Sequence, residues 1–288
     1  MAIEWRRRRT SPPLQLITFA IVSNEPASPD AGAHPWYHTL TFPDGSTTPG
    51  YFDTRPAVEQ VRWPEEVAGG RCLDVGTFDG FWAFELERRG AAEVVALDID
   101  NPEAADWTYD ERQRMPEQIR RLNAARGPGF VEAARRMGSR AVRVDKSVYA
   151  LDPDVDGMFD VVLCGALLLH LRDPIAALEA MRRVCRGSLV LVEALDPLLD
   201  LVPRLAVARI NPDRMQWWRV NSPGLAKLVT VAGFGDIRMG PRFLITFGPG
   251  APPGKRTGRL PGLAAHKPWV KDGMLYRSLV AKPRPPKH

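Results

Sequence analysis

Cysteine is scarce in this sequence, and so are long apolar stretches. Only 3 of the 288 residues are cysteines, and no two of them form a Cys-x-x-Cys pair. This set is too small for a disulfide framework or a zinc module, and it fits a reducing cytoplasm. No run approaches the roughly 18 uninterrupted apolar residues of a membrane-spanning helix. We therefore expect a cytoplasmic chain without a membrane span.

Positive charge is concentrated at the two ends of the chain. The net formal charge is +5, but residues 1–9 carry +3 and residues 255–288 carry +8, which leaves −6 on residues 10–254. An enzyme that acts on nucleic acid more often carries positive charge around its cleft. The distribution favours a small-molecule partner and leaves nucleic acid open as an alternative. A homodimer is expected only because dimers are common.

Three regions differ in composition. Residues 1–33 are predicted to be an irregular N-terminal segment. Residues 34–69 contain alternating apolar positions around the turn signal Pro43-Asp44-Gly45, which predicts a β-hairpin or lid extension. Residues 70–288 are predicted to be the main domain, with a Pro/Gly/Lys-rich loop at 248–272.

Short apolar strands alternate with helical segments after residue 70. The predicted strands are Arg71–Val75, Glu93–Asp98, Ala141–Val144, Phe159–Cys164, Leu189–Glu193, Ile237–Phe247 and Leu275–Ala281. The predicted helices are Asp79–Arg89, one or two within 109–137 broken at Gly127-Pro128-Gly129, one capped by Asp173 with Pro174 first, and Pro223–Val231 started by Ser222. Apolar strands that alternate with helices predict an α/β fold, a doubly wound, mostly parallel seven-stranded sheet. The last two strands, joined without a helix, are predicted to form an antiparallel edge.

A glycine loop follows the first predicted strand of the main domain. Residues Asp74–Gly80 have the pattern acidic-x-Gly-x-x-x-Gly. Glycines allow the chain to reverse while a ligand contacts its backbone. The second strand ends at Asp98, and an acid there can accept hydrogen bonds from both hydroxyls of a ribose. Together these features predict an adenosine-containing ligand.

The loop differs from a dinucleotide-binding loop, which usually has the pattern G-x-G-x-x-G. Asp74 and Asp79 flank it, and their negative charge would repel a pyrophosphate. Two carboxylates suit a ligand that carries an ammonium and a sulfonium, which is S-adenosylmethionine (SAM). An NAD-linked oxidoreductase, or a nucleotide-binding protein without catalysis, is kept as a second alternative.

Four motifs resemble those of class I SAM-dependent methyltransferases. They are LDVGTFDG (73–80), VVALDID (94–100), FDVVLCGALLLHLRDP (159–174) and LVLVEAL (189–195). The resemblance covers roughly residues 70–245 and implies a Rossmann-like methyltransferase fold. It places the methionine part beside the glycine loop, the ribose at Asp98, and the adenine at Val148 with either Asp145 or Ser147. The implied cofactor contacts are Asp74, Gly76, Thr77, Gly80, Asp98, Ile99, Asp145, Ser147, Val148, Cys164 and Gly165.

Residues 159–238 are also similar to the tRNA wobble-uridine 5-oxyacetic acid alkyltransferases, through MQWWRVNSPGLAKLVTVAGF and GDIR after the shared strand motifs. Those enzymes transfer a carboxymethyl group from carboxy-SAM, whose carboxylate is held by a lysine and a tyrosine. The tyrosine position is Leu169 here, and the lysine register falls near Trp36-Tyr37-His38, which contains no lysine. An unpaired buried charge is costly, so ordinary SAM is the expected donor. Modification of a tRNA or RNA base is the first alternative.

Methyl transfer depends mainly on alignment, and a base helps when the acceptor is a hydroxyl. His170, six residues past the fourth strand, is a candidate base or else a structural residue at a helix start. His38 and Asp53 of the predicted hairpin are further candidate bases. We expect O-methylation of a small secondary or specialised metabolite, without a metal ion. The candidate acceptor-binding residues are Trp36, Tyr37, Tyr51, Glu193, Trp217 and Trp218.

Overall fold

A computed structural model of the chain describes residues 35–210, 216–252 and 273–285. The predicted N-terminal segment at 1–33 lies outside these residues, and so does most of the predicted loop at 248–272. The boundaries proposed for these regions therefore remain predictions.

The described residues form eleven strands and seven α-helices. The strands are β1 (Trp36–His38), β2 (Gly50–Asp53), β3 (Arg71–Val75), β4 (Glu93–Asp98), β5 (Val142–Asp145), β6 (Phe159–Gly165), β7 (Cys185–Ala194), β8 (Ala208–Ile210), β9 (Trp218–Val220), β10 (Phe234–Phe247) and β11 (Gly273–Pro283). The helices are α1 (Phe81–Arg88), α2 (Tyr109–Arg114), α3 (Glu117–Ala124), α4 (Arg126–Met137), α5 (Pro153–Asp156), α6 (Pro174–Val184) and α7 (Ser222–Val231).

Nine of these strands form one sheet in the order β1-β2-β10-β11-β7-β6-β3-β4-β5. The five strands from β7 to β5 in this order are parallel, whereas β11 is antiparallel to both β7 and β10. The predicted doubly wound α/β fold and the antiparallel pairing of its last two strands are confirmed, but these strands are not at the edge of the sheet, because β2 and β1 lie beyond β10. Separate apolar clusters of side chains form the core, one including Trp82 and Phe130 and the other Leu178 and Leu225. Parallel strands covered on both faces are buried almost completely, which explains their apolar sequences.

The predicted N-terminal β-hairpin forms only around its turn, where Thr41 and Thr47 make an antiparallel bridge, and the strands on either side do not continue it. β1 and β2 pair in parallel, with Trp36 opposite Gly50 and His38 opposite Phe52. A tight turn does form between them, where Gly45 N donates to Phe42 O at 2.9 Å. On its other side, β2 pairs antiparallel with β10. Pairing with β10, at the open edge of the main sheet, determines the direction of β2. Because β1 and β2 join the sheet in this way, it has nine strands instead of the predicted seven.

Two details of the helices also differ from the sequence prediction. Residues 109–137 form three helices, and Gly127-Pro128-Gly129 lies in the first turn of α4 instead of breaking it. Proline is tolerated in a first turn because its missing N–H would have no partner there. The cap of α7 is Asn221, whose Oδ1 accepts from Gly224 N at 2.9 Å. The predicted cap of α6 is confirmed, since Asp173 Oδ1 accepts from Ala176 N at 2.9 Å.

Across the residues that the structure describes, every helix is too short or too polar to cross a membrane.

Candidate cofactor and acceptor site

The glycine loop between β3 and α1 is a tight reversal held against β4. Gly76 and Gly80 have φ angles of 79° and 96°, in the left-handed region that favours glycine. The N–H groups of Gly76 and Thr77 both donate to Leu97 O, at 2.8 and 3.2 Å. A Cβ on Gly80 would lie 2.5 Å from the ring of Phe84. The second glycine is therefore required by both backbone conformation and packing.

Asp74 and Thr77 present buried polar atoms without partners. Neither the carboxylate oxygens of Asp74 nor the hydroxyl of Thr77 has a hydrogen-bond partner of ordinary geometry among the described residues, although Thr77 lies close enough to Asp74 to lower its pKa. Asp74 is fully buried, and burial is the main cause that raises its pKa to about 7. An unpartnered buried carboxylate is costly unless a ligand pairs with it. The arrangement fits a ligand with an ammonium group, as SAM has.

Asp98 at the end of β4 shapes the same loop. Its Oδ2 accepts from Phe78 N at 2.8 Å, and its Oδ1 accepts from Ile99 N at 2.8 Å and from Arg126 Nη1 at 3.1 Å. A carboxylate has about four acceptor positions, so Asp98 retains capacity for a hydroxyl. Sequence reasoning missed Arg126, because the first residue of a polar helix carries no local signal for this contact.

The predicted adenine contacts lie beside Asp98. The parallel register of β4 and β5 places Asp98 opposite Asp145. Asp145 is exposed and its Oδ1 accepts from Asp100 N at 2.9 Å. Val148 is buried and Ser147 is half-buried. These residues thus lie together at the carboxyl ends of β4 and β5.

The end of β6 borders the other side of the glycine loop. Cys164 lies opposite Val75 in the sheet. A Cβ on Gly165 would come 2.4 Å from Trp82 Nε1, and a Cβ on Gly76 would come 3.1 Å from Leu167 Cδ2. Gly165 and Gly76 therefore let neighbouring side chains approach closely. Leu167 was missed from the sequence because an apolar residue within an apolar run gives no distinct signal.

The strand β1 is fastened onto the glycine loop by Asp79. The Oδ2 of Asp79 accepts from Tyr37 N and His38 N at 2.8 and 2.9 Å, and its Oδ1 lies 2.5 Å from His38 Nδ1. The Tyr37 ring stacks on Phe78 at 4.4 Å between centroids. The sequence pattern shows only the charge of Asp79, because a contact over 41 residues leaves no local signal.

A small cavity opens beside this contact, at the carboxyl ends of the parallel strands. Its walls are aromatic and aliphatic, with His38 as the sole titratable side chain besides two tyrosines. Burial raises the pKa of both Tyr37 and Tyr276 above the ordinary range. The lining residues are Tyr37, His38, Phe52, Thr54, Trp82, Ala166, Val192, Ile245 and Tyr276.

Two predicted carboxylates are engaged elsewhere. Asp53 accepts from Arg55 Nε and Nη2, each at 2.8 Å, and these bonds lower its pKa. Glu193 accepts from Leu168 N and Ala194 N, each at 2.8 Å. Burial raises the pKa of Glu193 to about 7. The structure brings neither carboxylate into the lining of the cavity.

The remaining predicted residues fall into two groups. Trp36 and Tyr51 are buried around β1 and β2, outside the cavity lining. His170 lies in the turn at 168–170, to which the tryptophans of β9 are attached. Trp217 N donates to Leu169 O at 2.8 Å, and Trp218 Nε1 donates to Leu171 O at 3.1 Å. The structure does not bring this second group into the wall formed around His38.

Within the described ranges, no group of three or more histidine, cysteine, aspartate or glutamate residues is arranged to hold a metal ion.

Comparison with known proteins gives one family match. A family model described as a methyltransferase domain matches residues 55–236, which is well over half of the chain. Magnesium-protoporphyrin O-methyltransferase from Rhodobacter capsulatus is 33% identical over 103 residues, which cover 36% of this chain and 44% of that protein. Ribosomal protein L11 methyltransferase from Symbiobacterium thermophilum is 30% identical over 110 residues, 37% of this chain and 27% of that protein. The chain thus spans less than half the length of either relative.

A solved structure shows the same fold. The YcgJ protein from Bacillus subtilis is similar with a TM-score of 0.51 and 14% identity, over 81% of this chain and 97% of that chain.

Proposed function

The chain belongs to the methyltransferase domain family and is a SAM-dependent methyltransferase, and from this premise we propose that it methylates a small-molecule acceptor at an oxygen atom. One observation carries the proposal. A small apolar cavity adjoins the glycine loop, where Asp74 and Thr77 present unpartnered buried oxygens. The cavity is where an acceptor would meet a donor held by that loop, because ligands bind at the carboxyl ends of such strands.

Different residues around the glycine loop would contact different parts of the donor. Asp74 and Thr77 would hold its ammonium, and Asp98 its ribose hydroxyls. Asp145, Ser147 and Val148 would border the adenine, and the backbone at Cys164 and Gly165 would lie beside the methionine. SAM supplies an electrophilic methyl group on a sulfonium, so the protein's task is to align donor and acceptor.

The character of the cavity favours an uncharged organic acceptor. Its lining contains neither lysine nor arginine among the described residues, and phosphate-rich substrates are usually held by such cations. This disfavours a tRNA or RNA base and supports a small metabolite of secondary or specialised type. The relative from Rhodobacter capsulatus is named as an O-methyltransferase, which supports transfer to oxygen.

Ordinary SAM is the proposed donor, and carboxy-SAM is disfavoured. Leu169 is buried with 4% of its surface exposed, and its side chain cannot hydrogen-bond a carboxylate. The backbone N–H groups of Tyr37 and His38 are already bonded to Asp79. Leu169 therefore offers no partner to a carboxylate, and the register of the clamp's lysine contains no lysine.

Transfer of a labelled methyl group tests this function. The protein is incubated with methyl-labelled SAM, total tRNA and an extract of small metabolites, and the label is followed in each fraction. We expect label in the small-molecule fraction. Asp98→Ala should weaken binding of the product S-adenosylhomocysteine (SAH) by about 10- to 100-fold, because hydrogen bonds to a charged group are lost. The matched control is Asp154→Ala, since Asp154 is an exposed carboxylate on α5. Label in tRNA alone would contradict the proposal.

A further inference from the structure

A buried histidine–aspartate pair faces the cavity. His38 is 7% exposed and Asp79 is 1% exposed, and His38 Nδ1 lies 2.5 Å from Asp79 Oδ1. A carboxylate only accepts hydrogen bonds, so Nδ1 carries the proton and donates it. The lone pair of the neutral ring is then on Nε2, which makes no hydrogen bond to the described residues.

We propose that His38 is the general base of this enzyme, that Asp79 is its positioning residue, and that the acceptor is an aromatic hydroxyl. The inference rests on the proposed function and deepens it, because it names the group that removes the acceptor's proton and the chemical class of the acceptor.

The other side chains of the cavity cannot take a proton near neutral pH. Burial holds Tyr37 and Tyr276 in their protonated forms, and the hydroxyl of Thr54 is too weak a base. Asp53, which is bound by Arg55, and Glu193, whose pKa is about 7, both lie outside the lining of the cavity. His38 is therefore the one described lining residue whose side chain has a ring-nitrogen lone pair that can receive the acceptor's proton.

The side chains that line the cavity present mostly aromatic and aliphatic surface. Phe52, Trp82 and Tyr276 contribute aromatic surface, and Val192 and Ile245 contribute aliphatic surface. Aromatic groups pack favourably against such walls, in edge-to-face or offset arrangements. A carboxylate or phosphate on the acceptor would find no cation among the described lining residues. An aromatic hydroxyl supplies both the ring that these walls favour and the proton that His38 removes.

The reaction that follows is a balanced substitution. The proton of the acceptor hydroxyl moves to His38 Nε2, and an oxygen lone pair forms the new O–CH3 bond. The S–CH3 bond of the donor breaks, and its electron pair stays on sulfur, which changes from a cationic sulfonium to a neutral thioether. The imidazolium then returns its proton to solvent.

The fold couples this base to the donor site. Asp79 belongs to the loop between Gly76 and Gly80, so the carboxylate that orients His38 is part of the loop that would hold the methionine. Its second oxygen also fastens the backbone of Tyr37 and His38. The base is therefore fixed relative to the donor, and in-line transfer needs such alignment to within a fraction of an ångström.

A pH profile alone would not identify the base, because several groups surround His38. Asp79 contacts His38, and the coulombic interaction of His38 with Asp74 lowers the pKa of Asp74. Asp74 and Glu193 both have a pKa raised to about 7 by burial, in the range where imidazoles titrate. The further charged or titratable groups around these residues are Tyr37, Tyr51, Asp98, Arg126, Arg219 and Tyr276.

Two acceptors of different acidity show whether His38 acts as a general base or has only a structural role. Phenol and 4-nitrophenol are used as probe acceptors at pH 8 with saturating labelled SAM, where 4-nitrophenol is already largely ionised. We expect His38→Gln to lower kcat for phenol by about 1,000-fold, within the range of general-base catalysis, and kcat for 4-nitrophenol by less than about threefold. In His38→Gly, added imidazole should restore methylation of phenol. SAH affinity, measured on both variants, reports that the donor site is intact.

Three results would overturn parts of this account, and they can be told apart. An equal loss on both phenols, without rescue by imidazole, would mean that His38 only positions the loop. Wild-type protein that binds SAH but methylates neither phenol would exclude the aromatic-hydroxyl acceptor and leave the proposed donor function standing. Wild-type protein that binds no SAH would overturn the proposed function itself.

Discussion

Replacing Asp79 with asparagine is expected to lower kcat for phenol about 100-fold at saturating SAM. Asparagine Oδ1 can still accept from Tyr37 N and His38 N, so β1 stays attached to the glycine loop. The amide NH2 then faces His38 Nδ1 as a donor, and the imidazole proton moves to Nε2. A histidine held in the wrong tautomer cannot take the acceptor's proton, as in the serine protease triad. Steady-state kinetics with labelled SAM measure this loss.

The double variant His38→Gln/Asp79→Asn is the control for this prediction. If Asp79 acts through His38, the double variant loses no more activity than His38→Gln alone, because residues of one unit are not additive. Losses that multiply would assign Asp79 a separate role in the donor site. An unchanged kcat in Asp79→Asn would contradict the proposed orientation of the base.

Replacing Asp74 with asparagine is expected to change ligand affinity and stability in opposite directions. At pH 8, SAH affinity should fall by about 1.5–3 kcal/mol, the value of a hydrogen bond to a charged group. The free energy of unfolding should rise by about 1–3 kcal/mol, because a buried carboxylate without a partner is removed. Calorimetric titration and thermal unfolding measure the two effects. If Asp74 had only a structural role, Asp74→Asn would lower the free energy of unfolding instead.

The pH dependence of the two effects follows from the pKa of Asp74, which burial raises to about 7. The folded state binds this proton more tightly than the unfolded state, whose carboxyl has a pKa near 4. The contribution of Asp74 to the free energy of unfolding therefore falls as the pH rises from about 4 to about 7, and it is constant above about pH 7. SAH binding needs the carboxylate, so its affinity should fall up to about tenfold per pH unit below pH 7. Asp74→Asn should lose this dependence, and an unaltered dependence would assign it to another group.

Local patterns were sufficient to predict the centre of the fold. The bounds of β3 and β4 are those expected from their apolar runs, and the Asp173 cap with Pro174 correctly marks the start of α6. Each of these features depends on residues that are close in sequence. The same holds for the glycine loop, whose turn requires glycine at positions 76 and 80.

Long-range contacts decided what the sequence could not predict. The direction of β2 depends on β10, almost 200 residues later. Asp79 with His38, Arg126 with Asp98 and Leu167 with Gly76 are contacts between distant segments. No local pattern in either segment shows which partner the other segment will supply. His38 was a candidate base from the sequence, but the role proposed for Asp79 became visible only when the structure brought the two residues together.

Calorimetric titration of the purified protein with SAM, carboxy-SAM and NAD tests the central claim most directly. We predict selective binding of SAM at one site per chain, weakened in Asp74→Asn and Asp98→Ala. Preference for carboxy-SAM would contradict the assignment at Leu169 and favour a tRNA substrate. Binding of NAD, or of none of the three ligands, would contradict the account of the glycine loop.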